Sequence, residues 1–337
     1  MDVVLPFEHK QTAHCESGVI SGLLTHKELA ISEPMAFGIS GALTFAYLPL
    51  IKFGGMPLIA YRMPPKGVIR PLCKRLGVEM VFETFRDPDQ GMRALDRHLD
   101  EGRVVGLQSS VYWLEYFPPD MRFHFNAHNL IVFGRRDGRY LISDPVLERA
   151  VECEAEGLKK SRFTRGVLAP KGLLYYPRKI PSAIDYRGAI RDSIKKNTGM
   201  MLYTPLPFIG VRGVRMVARK LRKLKRDELK YNRLLIGHMV RMQEEIGTGG
   251  AGFRFLYASF LEQAADLLGH APLAEIGRQL TAAGDEWREF ALLAAKMCKG
   301  RAEMDYGALG DRLECVADLE ERFYRRLRAE LPALRAT

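Results

Sequence analysis

The chain is 337 residues long, 47% hydrophobic and 27% charged, with 51 Lys and Arg against 40 Asp and Glu. That length favours two domains, and the ordinary apolar fraction excludes disordered, collagen-like and fibrous classes. Five scattered cysteines (Cys15, Cys73, Cys153, Cys298 and Cys315), odd in number and without a CxxC pair, speak against a disulfide scaffold or a cysteine zinc site and for a reducing compartment.

In chain order, MDVVLPFEHK has neither the basic nor the apolar region of a signal peptide, so a cytoplasmic protein is expected. His14-Cys15-Glu16-Ser17-Gly18 then opens onto VISGLL, which predicts a helix beginning at the cysteine. A thiol placed there meets the positive end of the helix dipole, which favours thiolate. Gln11, four residues earlier, is a candidate oxyanion donor, because a side-chain amide N–H aims at a developing tetrahedral oxygen. His9 and His14 are expected to support the site rather than act in it. Pro34 to Ile51 is uncharged and long enough for a membrane span, but Gly38, Ser40, Gly41 and Pro49 predict a helix buried inside the fold.

Further on, GVIRPLCKRLG predicts a helix leading to a strand at Val78–Phe85, and DQGMRALDRHLDEG an amphipathic helix with a glycine stop. RVVGLQSSVYW, HNLIVFG, RYLISD and GLLYYPRK read as strands, and Asp137-Gly138 marks a tight hairpin between the second and third. In an antiparallel hairpin the start of one strand lies beside the end of the other, so His128 and Asp144 meet at one end. A histidine whose tautomer is held by a carboxylate is what a cysteine nucleophile requires. His124 is a rival base. Phe123, Phe125 and the β-branched run argue against a helix that would make His124 and His128 a metal pair, so no metal is expected.

From about Ile184 the pattern turns helical, with candidate helices at 185–198, 211–229, 230–246, 253–268, 272–299 and 309–330. The predicted domains are therefore 1–180 and 181–337. Gly247-Thr248-Gly249-Gly250 lacks the Lys-Ser/Thr of a phosphate loop and reads as a break between helices. Arg254 is expected to point at a cleft, and Trp287 to pack.

A cysteine first, a histidine on a strand about a hundred residues later and an aspartate on the next strand is the papain-like order. Together with HCESG (14–18), SEPMAFGISGALTFAY (32–47), HFNAHNLIVFG (124–134) and GTGGAGFRFLYASFLEQAA (247–265), it makes the sequence resemble the butirosin biosynthesis protein H family. The resemblance implies an α+β fold: a papain-like cysteine hydrolase or acyltransferase domain with an antiparallel sheet, followed by an all-α helical domain. It further implies transfer of an acyl group from an acyl carrier protein thioester, carried on a phosphopantetheine arm, to an amine of a small-molecule acceptor in specialised-metabolite biosynthesis. Cys15, His128 and Asp144 would form the triad, with no cofactor of the protein's own. Ser110-Val111-Tyr112-Trp113 departs from the acidic residue expected before an aromatic pair. A papain-like amidase or peptidase is the alternative; a degenerate binding module is a third reading, against which the intact Cys, His and Asp argue.

The net charge of +11 is local: Val211 to Arg226 carries eight basic residues and no acid, and the rest of the chain is nearly balanced. Val214, Val217, Ala218, Leu221 and Leu224 recur at helical spacing, which makes this an amphipathic basic helix. Its polar side reads as a solvated face, as a dock for the acidic surface of an acyl carrier protein through Arg219, Lys220, Arg222, Lys223, Lys225 and Arg226, or as an anionic membrane contact. Nucleic acid is disfavoured, because no aromatic residue interleaves with the basic ones.

Overall fold

The computed structural model describes residues 2–53 and 55–335. In chain order the elements are β1 (Val3–Val4), α1 (Cys15–His26), α2 (Glu33–Ser40), β2 (Leu43–Phe53), β3 (Met56–Arg62), α3 (Ile69–Leu76), β4 (Glu79–Glu83) and α4 (Pro88–Asp100). There follow β5 (Val105–Ser109), β6 (His128–Arg136), β7 (Arg139–Ser143), β8 (Val151–Glu154), α5 (Ala155–Phe163) and β9 (Leu174–Lys179). The remainder is helical: α6 (Tyr186–Tyr203), α7 (Gly210–Arg222), α8 (Leu229–Glu244), α9 (Arg254–Leu268), α10 (Pro272–Cys298) and α11 (Tyr306–Ala329). An antiparallel sheet accompanied by helices makes the fold α+β.

The chain divides into two compact units, Met1–Ala36 with Pro65–Ile184 and Phe37–Pro64 with Asp185–Thr337. The second unit therefore takes in a segment that a single cut near residue 180 leaves in the first. Pro34 to Ile51 is not one buried helix: α2 stops at Ser40, Gly41 adopts φ 63°, and β2 begins at Leu43. Thr44, Phe45 and Tyr47 suit a pleated strand better than a helix.

In the first unit the strands are hydrogen-bonded in the order β4-β9-β5-β6-β7-β8, with β1 also pairing with β6. Each of these pairings is antiparallel. The β6–β7 hairpin turns at Asp137 and Gly138, both left-handed at φ 50° and 74°, the backbone an Asp-Gly turn demands. Leu130, Val132, Leu107 and Ile142 pack with Leu95 and Leu99 of α4 and Leu158 of α5 in one core. Each such aliphatic side chain contributes about 1.5–3 kcal/mol on full burial. Ile131 points the other way, toward α1, where its Cδ1 lies 3.1 Å from the position a Cβ would take on Gly22. This face contact lays the nucleophile's helix across the strand that begins with His128.

In the second unit β2 and β3 form an antiparallel pair. Its outer edge is answered by the helical segment, since Tyr47 N donates to Phe208 O and Asn197 Nδ2 to Leu43 O. Phe45 and Tyr61 project from the pair onto Trp287 of α10, with ring centroids 5.8 and 5.5 Å away. These contacts are the physical reason Phe37–Pro64 belongs with the helices. Gly38 is required where it stands, because a Cβ there would lie 1.9 Å from the Phe260 ring.

The basic helix α7 buries Val211, Val214, Val217, Ala218 and Leu221 and ends at Arg222, so Lys223, Lys225 and Arg226 fall in the turn before α8. Part of its charge is met inside the unit. Arg215 pairs with Asp318 (2.6 Å) and Glu321 (2.9 Å), Arg222 with Asp311 (2.7 Å) and Glu314 (3.4 Å). Those four acids recur at helical spacing along α11. Lys220 Nζ donates to the Tyr47 hydroxyl. Arg219, Lys223, Lys225 and Arg226 remain exposed. No helix among the described residues is long and apolar enough to cross a membrane.

Candidate active site

Helix α1 begins at Cys15 because the residues before it satisfy its first turn. His14 is the N-cap, its ring Nδ1 accepting from Ser17 N at 3.3 Å. Glu33 reaches in from α2: Oε2 accepts from Ala13 N (2.9 Å), and Oε1 from His14 N (2.8 Å) and the Ser17 hydroxyl (2.9 Å). Burial pushes the Glu33 carboxyl up in pKa, and these three hydrogen bonds oppose that rise. With the amides of residues 13 and 14 engaged by Glu33, the Cys15 N–H is the next donor of the first turn, where no intrahelical acceptor exists. Glu16 is fully buried and turns away, accepting from Val68 N (3.0 Å) and Ile69 N (3.3 Å).

His128 is the first residue of β6 and pairs across the sheet with Ser109. Asp144 directly follows β7, one residue beyond Ser143, which pairs with Ile131. His128 Nε2 meets Asp144 Oδ2 at 2.6 Å. That leaves Nδ1 as the ring nitrogen free of Asp144, and Cys15 lies near enough to act on the charge of the histidine. The structure thus brings together Cys15, His128 and Asp144, which are 6%, 5% and 0% exposed. At such burial the charges act on one another with little screening by water. Burial pushes the His128 imidazolium down, but Asp144 and then Cys15 raise it further, to about 10. Phe117 sits edge-on to the imidazole, with centroids 5.8 Å apart, and closes its apolar side.

Further contacts hold this geometry, of which sequence reasoning anticipated only a supporting role for His9. Tyr116 donates to Asp144 Oδ2 at 2.8 Å, while Val146 N donates to Oδ1 at 3.3 Å. His9 straddles the loop that carries the aspartate, its Nδ1 pairing with the Ser143 hydroxyl (2.7 Å) and its Nε2 donating to Leu147 O (3.0 Å). Thr12 N donates to Pro145 O at 2.7 Å. Gly18 permits this close approach, because a Cβ there would lie 2.0 Å from Thr12 Oγ1 and 2.7 Å from Pro145 Cβ. The ring of Pro145 has no rotamer by which to retreat.

The other expected residues fall as follows. Gln11 lies on the exposed stretch before α1. His124 is exposed and stacks on Tyr112 at 4.0 Å between centroids. The segment Ser110–Trp113 is a buried serine followed by a short 3-10 turn, with Trp113 facing the Lys160 ammonium. Arg254 does not point at a cleft. It is 0% exposed and ion-paired with Glu320 at 2.7 Å, since an unpaired guanidinium at that depth would be too costly. Trp287 packs in the same core and donates to Glu320. Burial pushes the thiols of Cys73, to about 12, and Cys153 up, which makes them poor nucleophiles.

The comparisons with known proteins match two separate parts of the chain. Residues 14–145, which contain all three grouped side chains, match the family model described as Butirosin biosynthesis protein H, N-terminal. A solved structure from Bacillus anthracis, described as a C39-like peptidase, is 12% identical, with a TM-score of 0.37 over 54% of this chain and 100% of its own. No curated protein matches the chain. Residues 156–327, about half of the chain, match the Domain of unknown function (DUF4872). The protein therefore belongs to the DUF4872 family, and its N-terminal part makes it butirosin biosynthesis protein H-like.

Proposed function

We propose that the protein is a cysteine-dependent acyltransferase that moves an acyl group from a carrier-bound thioester to an amine, through an acyl-Cys15 intermediate. The observation that carries the reading is the buried His128 bonded to Asp144 at 2.6 Å, with Cys15 at a helix start acting on its charge. The Cys15 thiolate attacks the thioester carbonyl, forming a carbon–sulfur bond and a tetrahedral oxyanion. The Cys15 N–H and the Gln11 amide stabilise that oxygen. The intermediate collapses by expelling the donor's thiolate, which takes the proton of His128. An amine then attacks acyl-Cys15 while the neutral His128 accepts its proton, and collapse releases the amide and restores the cysteine beside the imidazolium. Asp144 holds the imidazole through Nε2 in both halves. The donor is an acyl carrier protein whose acidic surface meets Arg219, Lys220, Arg222, Lys223, Lys225 and Arg226, and the acceptor is a small amine of specialised metabolism.

Intact-mass spectrometry after incubation with acyl-pantetheine thioesters tests the chemistry. Wild type is expected to gain one acyl mass, and Cys15→Ala none. An adduct of unchanged yield in Cys15→Ala would sink the assignment. An adduct discharged to water at the same rate with and without amines would make the protein a hydrolase. Carrier docking has its own check: reversing Arg219, Lys223 and Arg226 to Glu is expected to raise KM for a carrier-bound donor about tenfold and to leave KM for acyl-pantetheine unchanged. Equal KM values for the carrier-bound donor would remove the basic segment from the reaction.

A further inference from the structure

Asp144 receives more than its histidine. Oδ2 accepts from His128 Nε2 at 2.6 Å and from the Tyr116 hydroxyl at 2.8 Å, while the amide of Val146 holds Oδ1 at 3.3 Å. Two donors on one carboxylate oxygen compete for the same negative charge. Each hydrogen bond from Tyr116 therefore withdraws part of the field that keeps His128 protonated.

We propose that Tyr116 is a positioning residue which, by donating to Asp144 Oδ2, sets how tightly His128 holds its proton and so how readily it gives that proton to the leaving thiol. The proposal rests on the cysteine–histidine reading of the site and adds to it the control of its first half-reaction. His128 must give a proton to the leaving thiol and then take one from the amine. A histidine bound too strongly to an undivided carboxylate surrenders its proton reluctantly, and the first of these transfers suffers.

Tyr116 is suited to the task because it stays a donor throughout the working range. Burial, with the charge of Asp144 beside it and smaller contributions from Cys153 of β8 and Glu115, keeps the phenol protonated well above its ordinary pKa. The groups acting on His128 itself are Asp144, on the loop after β7, and Cys15 of α1, while the Phe117 ring beside it carries no charge.

A purely structural Tyr116 is the competing account, since its ring also packs on Phe117 at 4.8 Å. Tyr116→Phe separates the two, because it keeps the ring and removes only the donor. The measurement is the NMR titration of His128 in a Cys15→Ser background, where the thiolate no longer contributes. Tyr116→Phe is expected to raise the His128 midpoint by at least half a pH unit, about a threefold gain in proton affinity. Site-specific 3-fluorotyrosine, a stronger donor of nearly the same shape, is expected to lower it. In the Cys15 enzyme, Tyr116→Phe is expected to slow release of the donor thiol in single-turnover acylation, with the KM of the donor unchanged. A midpoint unmoved in Tyr116→Phe but lowered in Asp144→Asn would overturn the role of Tyr116 alone. A midpoint unmoved in both would overturn the His128–Asp144 coupling and with it the reading of the site.

Discussion

Replacing Asp144 with alanine is expected to lower acyl-transfer turnover by about a hundred- to ten-thousand-fold, the range seen when an acid–base group loses its orienting partner. The size follows from the depth of the site. His128 is raised to about 10 against the pull of burial, with Asp144 the larger favourable influence. Without that carboxylate, burial dominates and His128 falls toward or below its ordinary value. It then no longer stands as imidazolium beside Cys15 at neutral pH. Asp144→Asn keeps an acceptor for Nε2 and removes the charge, so its loss is expected to be smaller. Equal losses in the two variants would show that the charge, rather than the orientation, accounts for the effect.

Stability responds with a definite sign. A histidine whose pKa is higher in the folded than in the unfolded chain contributes stability that is complete below about 6.5, the unfolded value, and lost as pH climbs through about 10. The advantage of wild type over Asp144→Ala is therefore expected to shrink across that window in urea unfolding. At pH 7 the variant is expected to lose about 1–3 kcal/mol, because the Tyr116 hydroxyl is left unpaired in a buried place. A gap that widens as pH rises would contradict the assignment.

Glu320→Ala is expected to be the most destabilising single change in the helical unit, by about 3–5 kcal/mol. Glu320 and Arg254 are both 0% exposed. Arg254 Nε and Nη2 donate to the two carboxylate oxygens at 2.7 and 3.2 Å, and Trp287 Nε1 adds a third bond at 2.7 Å. Burial pushes the guanidinium down, and Glu320 more than reverses this. Removing the acid leaves a charge with nowhere to go, since a guanidinium does not surrender its proton. The same guanidinium donates to Gly252 O at 2.8 Å, within the run where Ala251, Gly252 and Phe253 stand at φ 49°, 55° and 71°. It therefore also pins a turn that two of its residues adopt only under strain. The double change Glu320→Leu with Arg254→Met is expected to recover most of the loss, because the pair is then exchanged for apolar volume rather than broken. Thermal unfolding of the full chain reads both; a single variant within 1 kcal/mol of wild type would refute the argument.

The sequence revealed those parts of the site that local rules control. Asp137-Gly138 permits one kind of hairpin, and that hairpin puts the start of β6 beside the end of β7, so His128 and Asp144 were legible together. The helix at Cys15 was legible from its apolar run. Tyr116 was not, because its meaning lies in a bond to a residue 28 positions on, inside a loop with no periodicity. Glu33 escaped for a related reason: its partners are backbone amides, which no residue type announces. β2 was hidden because its run from Leu43 to Ile51 is uncharged and carries no polar face from which to read a period of two. Arg254 was misread because its neutralising partner stands 66 residues away on another helix.

The peptide between Leu5 and Thr12 has a mechanical role. Leu5 N donates to Phe133 O in β6, His9 bridges Ser143 and Leu147, and Thr12 N donates to Pro145 O, three residues before Cys15. Nucleophile, base and aspartate are thereby indexed to one rigid hairpin, through a short circuit of covalent chain and hydrogen bonds. The Phe7 ring of the same peptide meets His26 at the far end of α1, 5.6 Å between centroids, and Phe133 of β6 at 5.7 Å. One short peptide thereby fixes both ends of the nucleophile's helix to the hairpin that carries base and aspartate.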